Sequence, residues 1–185
     1  MYNIGDFVVY KRDVCKIKEI KTINNKDYYV IVPVTDESLT INVPVEGITD
    51  IRNIISKDEV DSLIKKIPSI EVINCDNDKF IEYEYKTLLH DMTHEGLIKI
   101  IKTTYIRNKE RVDNKRKIGE KDDTYFKKAE KLLYTEFSLA LNMTYDETKD
   151  YVLSKVEENI KKEWLIISNH SFYILELLQH HPGDT

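Results

Sequence analysis

The sequence has few glycines, prolines and cysteines and no long apolar run, and each of these shortages excludes a structural class. Five glycines and four prolines among 185 residues exclude a collagen-like or low-complexity chain. The two cysteines, Cys15 and Cys75, lie far apart without metal-ligand spacing, which favours free thiols in a reducing compartment. The longest purely apolar runs, such as residues 164–167, are far too short to span a bilayer, and the first six residues lack the features of a signal peptide. We therefore expect a cytoplasmic protein that makes no membrane contact.

Charge is unevenly distributed along the chain. The net charge is −5, with 41% hydrophobic and 33% charged residues, a mixture typical of a folded globular protein. Residues 97–121, however, hold nine basic and three acidic residues. A local basic surface is therefore expected despite the acidic total, and nucleic acid stays among the candidate partners.

The N-terminal third shows the pattern of strands. Short β-branched and aromatic runs are separated by turn residues, among them Asn24, Asn25, Pro33 and Pro44. The predicted strands are residues 6–10, 14–23, 28–32, 39–43 and 51–55. So many short strands in so few residues predict a small barrel rather than a sandwich.

The remainder shows helical periodicity. Ser56 and Glu59 form a capping-box sequence that opens a helix ended by Pro68, and Thr144 with Glu147 form a second capping box. The other predicted helices are residues 80–90, 97–105, 126–140 and 145–160.

The polar stretch 107–121 is expected to end a helix and to continue as a loop, with Asp122 or Asp123 capping the helix that follows. The chain would then comprise a barrel, a linking helix with a connector, a helical domain and a C-terminal extension. The corresponding bounds are residues 1–56, 57–76, 77–162 and 163–185.

Six segments carry a family resemblance. They read IGDFVVY at 4–10, YVI at 29–31, LTINVPV at 39–45, IRNII at 51–55, YK at 85–86 and AEKLLYTEF at 129–137. In this order they resemble the CarD family of bacterial transcription regulators, whose first domain is shared with transcription-repair coupling factors. The resemblance implies an α+β fold, in which a small N-terminal Tudor/SH3-like β-barrel is followed by an all-α helical bundle.

The resemblance also implies a partner for the barrel. The barrel would add its strand edge to a strand of the RNA polymerase β subunit. The residues implied to bind polymerase are Lys21, Ile23 and Asn42, where Lys21 and Asn42 stand in place of family arginines. The helical domain would contact promoter DNA at the upstream edge of the bubble and bias the closed-to-open equilibrium.

The DNA contacts implied by the resemblance lie in the helical domain. Ile81 falls where the family places a wedge tryptophan, with Phe80 beside it, so either side chain is expected to enter the minor groove. Lys86 and Lys128 match phosphate-contacting lysines, whereas Asp123 replaces another lysine. A basic strip on the later helix consists of Lys127, Lys128 and Lys131.

These residues also have plainer interpretations, because polar residues on strands and lysines on helices are usually solvated. His90 and His94 are spaced as in a zinc-protease helix, but a predicted helix break at Thr93 and the lack of a third ligand argue against a metal. The sequence contains no nucleophile elbow, phosphate loop or dinucleotide fingerprint, so we expect neither an enzyme nor a cofactor.

Two functional hypotheses therefore stand ahead of an unrecognised enzyme. The first is a regulator that binds polymerase and promoter DNA, and the second is a protein-interaction module on polymerase without DNA. The departures at Asn42, Ile81 and Asp123 favour the second. The apolar residues 164–178 are expected to pack on the bundle, with self-association through this extension as the alternative.

Overall fold

A computed structural model describes residues 1–47, 49–75 and 77–164, with side chains described as far as residue 159. The chain divides into two compact units, one of residues 1–56 and one that begins at Lys57. Strands form the first unit and helices the second, so the predicted α+β class is confirmed. The predicted packing of residues 164–178 and self-association through the C-terminal extension concern side chains outside the described residues.

The N-terminal unit contains one antiparallel sheet. Its strands are β1 (Phe7–Tyr10), β2 (Asp13–Ile23), β3 (Lys26–Pro33), β4 (Ile41–Pro44) and β5 (Ile51–Asn53). They pair in the order β4-β3-β2-β1-β5, which makes β4 and β5 the outer strands of the described ladder. Each predicted strand is present, and closure of the sheet into a barrel stays a prediction.

One face of the sheet holds the core of this unit. Because side chains alternate between the faces of a strand, every second residue of β1, β2 and β3 enters this cluster. Its fully buried members are Val8, Cys15, Ile17, Tyr29, Ile31 and Val43. Tyr2 covers the cluster, since its ring lies edge-on to Tyr29 and its backbone N–H donates to Tyr29 Oη at 2.9 Å.

The turn between β2 and β3 has the predicted residues. Asn24 and Asn25 adopt φ angles of 51° and 60°, as a two-residue type I′ hairpin turn requires. The turn pairs Ile23 with Lys26 and thereby sets the register of the whole hairpin.

The second unit contains five α-helices within the described residues. They are α1 (Lys57–Lys66), α2 (Asp78–Asp91), α3 (His94–Asp113), α4 (Glu120–Leu141) and α5 (Tyr145–Trp164). Helix α1 packs against α4 and α5, and Tyr151 Oη donates to Asp61 Oδ1 at 2.6 Å. The segment that the sequence suggested as a linking helix therefore lies within the helical unit. In the part of the chain that the structure describes, no helix has both the length and the apolar character needed to cross a membrane.

Side-chain caps define two of the helix starts. Thr93 accepts from Gly96 N at 3.1 Å and opens α3, directly after Met92 ends α2 in the left-handed conformation. Thr144 and Glu147 bond each other's backbone N–H groups, at 2.8 and 3.2 Å. The predicted break at Thr93 and the capping box at Thr144 are both confirmed.

The predicted loop over residues 107–121 is wrong. Helix α3 continues to Asp113 and α4 begins at Glu120, so the connection comprises only residues 114–119. The polar stretch remains helical because Arg107 and Arg111 turn inward and pair with Asp122. Asp122 is therefore not a cap, and the capping position belongs to Gly119.

Lys102 holds the connector after α1 against α3. Its side chain is buried, and Nζ donates to the carbonyl oxygens of Ile67 at 2.8 Å, Pro68 at 3.3 Å and Ile70. These carbonyls lie at a short 3₁₀ turn, Ile67–Ser69, after which no helix continues to donate backbone N–H groups to them. The helical periodicity of the sequence does not distinguish Lys102 from a lysine that is exposed to solvent.

Candidate functional site

The three residues implied to bind polymerase lie on one face of the sheet. Lys21 pairs with Tyr28, Ile23 with Lys26, and Asn42 with Val30. Paired residues point to the same face, and Tyr28 and Val30 alternate with the core residues Tyr29 and Ile31. Lys21, Ile23 and Asn42 therefore share the face opposite the core cluster.

The register also fixes the direction of the backbone groups of β4. Val45 N donates to Asp27 O at 2.8 Å, which makes Asp27 and Val45 a hydrogen-bonded pair. Such pairs alternate along an antiparallel ladder, so Tyr29 and Val43 exchange hydrogen bonds, whereas Val30 and Asn42 do not. The N–H and C=O of Asn42 consequently point away from β3.

The position of Pro44 is consistent with this alternation of inward and outward residues. It is the second outward residue of β4, where the missing N–H costs the ladder nothing. Among the described residues no strand pairs with the far side of β4. The sheet therefore presents an open edge at which Asn42 supplies a donor and an acceptor and Pro44 supplies an acceptor only.

The two wedge candidates on α2, Phe80 and Ile81, differ in their exposure to solvent. Ile81 is 2% exposed and belongs to the core of the helical unit, so in this structure it cannot act as a wedge. Phe80 is 48% exposed, and Tyr83 is 64% exposed. Ile81 shares a helix face with Tyr85 at i, i+4, which explains its burial.

A stripe of basic and aromatic residues runs along the exposed side of α2. Its members follow the i, i+4, i+7, i+11 spacing of one helix face. They are Lys79, Tyr83, Lys86 and His90, and all four are exposed. Tyr83 therefore lies between two lysines on a solvated face.

Glu82 connects this stripe to α4. Its carboxylate accepts from Lys121 of α4 and lies 2.9 Å from Lys86 Nζ of α2. The hydrogen bonds from Lys121 and Lys86 lower the pKa of Glu82 to about 2, so the carboxylate stays ionised in neutral solution. One acidic group thus holds two exposed lysines in fixed positions.

Tyr125 continues the same surface on α4. Its ring lies 5.0 Å from that of Tyr85, and Lys128 Nζ lies 5.9 Å from the Tyr125 centroid. Lys121, Tyr125 and Lys128 follow i, i+4, i+7 spacing and so share one side of the helix. We call the set Tyr83, Lys86, Lys121, Tyr125 and Lys128 the α2–α4 basic face.

The other two lysines of the predicted strip lie outside this face. Lys127 Nζ is 2.9 Å from Asp123 Oδ2, so the aspartate that replaces a family lysine acts as a counter-ion. Lys131 is exposed one turn beyond Lys128. The structure therefore brings Lys86 and Lys128 together but directs Lys127 toward an acidic neighbour.

Sequence reasoning missed three members of the face, Tyr83, Lys121 and Tyr125. Tyr83 escaped notice because its exposure depends on which side of α2 packs inward. Lys121 was assigned to a loop, although Lys121, Tyr125 and Lys128 already show helical spacing.

The two histidines considered as metal ligands are separated. His90 is exposed on α2, whereas His94 opens α3 and its Nε2 lies 3.0 Å from Glu136 Oε2. Within the described residues no three histidine, cysteine or acidic side chains converge as metal ligands would.

The described parts present an open sheet edge on one unit and a lysine-rich aromatic face on the other. Residues 2–55 match the family model of the CarD-like/TRCF RID domain. The resemblance is thus confirmed for the N-terminal unit, which is a domain of this family. Members of this domain family interact with RNA polymerase.

The match ends at residue 55 and does not extend into the helical unit. The domain family is not known for catalysis. None of the curated proteins compared with the chain matches it.

Proposed function

We propose that this chain is a bacterial, cytoplasmic transcription regulator of the CarD type. It binds the RNA polymerase β subunit through the open edge of β4 and contacts promoter DNA at the upstream edge of the bubble through its helical unit. The observation that carries the proposal is the outward N–H and C=O of Asn42, in a domain whose family binds RNA polymerase.

Strand addition explains how this edge binds. A strand of the β subunit placed along β4 would satisfy the outward backbone groups of Asn42 and the carbonyl of Pro44. Pro44 has no N–H to donate, so the shared ladder ends there. The partner strand is therefore short, and side chains must contribute the remaining affinity.

Lys21 and Ile23 are the side chains that contribute this remaining affinity for polymerase. They lie on the same face as Asn42, two strands away across β3. Ile23 is 39% exposed and offers apolar area, while the ammonium of Lys21 offers a charge to an acidic group of the polymerase.

The α2–α4 basic face is the DNA-contacting surface. In this proposal Lys86, Lys121 and Lys128 neutralise phosphates, and Tyr83 is an exposed aromatic residue one turn before Lys86 on α2. A face of this kind binds better to a distorted, partly melted duplex, where an aromatic side chain can enter a base step. Preferential binding to the open state shifts the closed-to-open equilibrium toward it.

The first experiment measures binding of the full chain to core RNA polymerase, and then to promoter DNA over a range of salt concentrations. The polymerase arm is expected to show binding that Lys21→Glu weakens. The DNA arm is expected to show a steep fall in affinity with salt, and Lys86→Gln with Lys128→Gln should reduce the slope by about 2. Lys18→Gln, an exposed lysine of the sheet, is the control and should leave the slope unchanged.

The second candidate function is a polymerase-binding module that does not touch DNA. Glu82 and Asp123 favour it, because they already neutralise Lys86, Lys121 and Lys127. Under this alternative, polymerase binding persists while DNA affinity is weak and independent of salt.

A further inference from the structure

A cavity outside the α2–α4 basic face lies where α3 ends and α4 begins. It has a volume of about 170 Å³ and opens to solvent. The residues that line it are Arg107, Glu110, Arg111, Asn114 and Arg116. Three arginines thus line one cavity, and the proposed polymerase and DNA contacts use none of them.

Two of the guanidinium groups are held in place by carboxylates. Arg107 Nε lies 3.2 Å from Asp122 Oδ2, and its Nη2 donates to Asp78. Arg111 donates from Nη1 to Asp122 and, at 3.1 Å, to Asn108 Oδ1. Asp122 is 4% exposed, so its contacts with Arg107 and Arg111 lie mostly out of water, where hydrogen bonds between charged groups are stronger.

These contacts leave hydrogen-bond donors unused. Arginine carries five N–H donors, and the carboxylates and Asn108 occupy only some of them. Among the described residues, Arg107 Nη1 and Arg111 Nε and Nη2 have no acceptor. Preorganised donors of this kind bind an anion without further loss of side-chain freedom.

Arg116 completes the cavity from the loop. Its backbone N–H donates to Arg111 O at 2.8 Å, directly after Lys115 adopts a φ of 56°. Its side chain is exposed and has no acidic partner in the described part of the chain. Asp78, Asp122 and Glu110 balance the charges of the three arginines, and the same loop adds Lys115 and Lys117.

We propose that this cavity, the arginine pocket, binds a phosphate group. Planar guanidinium groups match the oxygens of a phosphoryl group through paired hydrogen bonds, and several of them around one volume favour a tetrahedral anion with multiple acceptors. The phosphate belongs either to a nucleic-acid backbone or to a free phosphorylated compound, and both present the same oxygens to the pocket.

Gly119 offers a test that changes no charge. A Cβ at this position would lie 1.9 Å from Arg111 Nη1 and 2.6 Å from Arg111 Cζ. The clash involves the end of the Arg111 side chain and no backbone atom, so Gly119→Ala displaces the guanidinium from its contacts with Asp122 and Asn108.

The experiment is a calorimetric titration of the full chain with inorganic pyrophosphate. We expect saturable binding, weakened about tenfold in Arg116→Gln, which removes one charged donor group. Gly119→Ala should weaken binding to a similar extent, with circular dichroism confirming unchanged helix content. The matched control is Arg12→Gln, an exposed arginine of the N-terminal unit, which should bind as the wild type does.

Absence of saturable binding, or equal affinity in Arg116→Gln and Arg12→Gln, would overturn the proposal. A competition arm identifies the source of the phosphate. If pyrophosphate displaces DNA, the pocket holds a backbone phosphate, and if it binds without affecting DNA, the ligand is a free phosphorylated compound. The titration requires neither polymerase nor DNA, so its result is independent of the proposed function.

Discussion

Tyr85 on α2 donates a hydrogen bond to Asp122 on α4, with 3.1 Å between Tyr85 Oη and Asp122 Oδ1. The same carboxylate accepts from Arg107 and Arg111 of α3, so one buried acid joins three helices. Burial, together with the charge of Asp122, raises the pKa of Tyr85 far above its usual value. The phenol therefore remains a donor throughout the accessible pH range.

Replacement of Asp122 by alanine is expected to destabilise the helical unit by about 3 kcal/mol. The substitution leaves Arg107 and Arg111 without their shared counter-charge and Tyr85 without its acceptor. Urea unfolding measures the change. Glu120→Ala, an exposed acid in the same first turn of α4, is the matched control, and an equal loss in both variants would refute the role of Asp122.

Lys102→Met is expected to lower the free energy of unfolding by about 2 kcal/mol, because three carbonyl oxygens lose their donor. Burial lowers the pKa of Lys102 below its usual 10.5, so the unfolded chain binds this proton more tightly. Stability from this group therefore rises with pH between the folded pKa and 10.5, and Lys102→Met should lack that rise.

Lys99→Met is the control for Lys102, since Lys99 is half-buried on the same helix and makes none of these bonds. Comparable unfolding curves for the two variants at neutral pH would show that the carbonyl contacts contribute nothing.

The two thiols are expected to react at very different rates. Burial, aided by the charge of Asp13, raises the pKa of Cys15 to about 11, so at pH 8 this thiol is both protonated and inaccessible. Cys75 is half-buried in the connector. A thiol assay should find one fast group in the native protein, none in Cys75→Ser, and two after unfolding in urea. Two fast thiols in the native state would contradict the burial of Cys15.

Glu82→Gln is expected to increase DNA affinity. The substitution releases Lys86 and Lys121 from their shared counter-ion and makes both available to phosphates. Affinity should rise several-fold at low salt, with a salt slope steeper by about 1 to 2. Glu84→Gln on the same helix is the control, and a gain no larger than in that variant would argue for the module that does not touch DNA.

The sequence pattern was sufficient for the architecture of the first unit. Alternating apolar residues, the Asn24–Asn25 turn and the two prolines are local signals, and each strand formed within a few residues of its prediction. The capping box at Thr144 is local in the same sense. Such features depend on neighbours in the chain and so are readable without a structure.

The candidate site was less predictable because it depends on which charges pair across helices. From the sequence alone, Arg107 and Arg111 belong to a polar stretch that predicts a loop. The stretch is helical because Asp122, on the next helix, accepts hydrogen bonds from both arginines. The burial of Ile81 and the exposure of Tyr83 depend on which side of α2 packs inward, against α3 above all. Only the fold reveals that the N–H of Asn42 points outward.

That outward N–H permits the most direct test of the central claim, which is that the β4 edge binds polymerase. Asn42→Pro removes the outward donor without breaking the bonds to β3, as Pro44 already does two residues later. Asn53→Pro is the matched control on the opposite edge, because the bond from Lys11 N to Asp50 O makes Asn53 an outward residue of β5. In the full chain, Asn42→Pro should lower affinity for core RNA polymerase by about tenfold or more, while Asn53→Pro binds as the wild type does. Unchanged binding by Asn42→Pro, or a loss confined to Asn53→Pro, would contradict docking through β4.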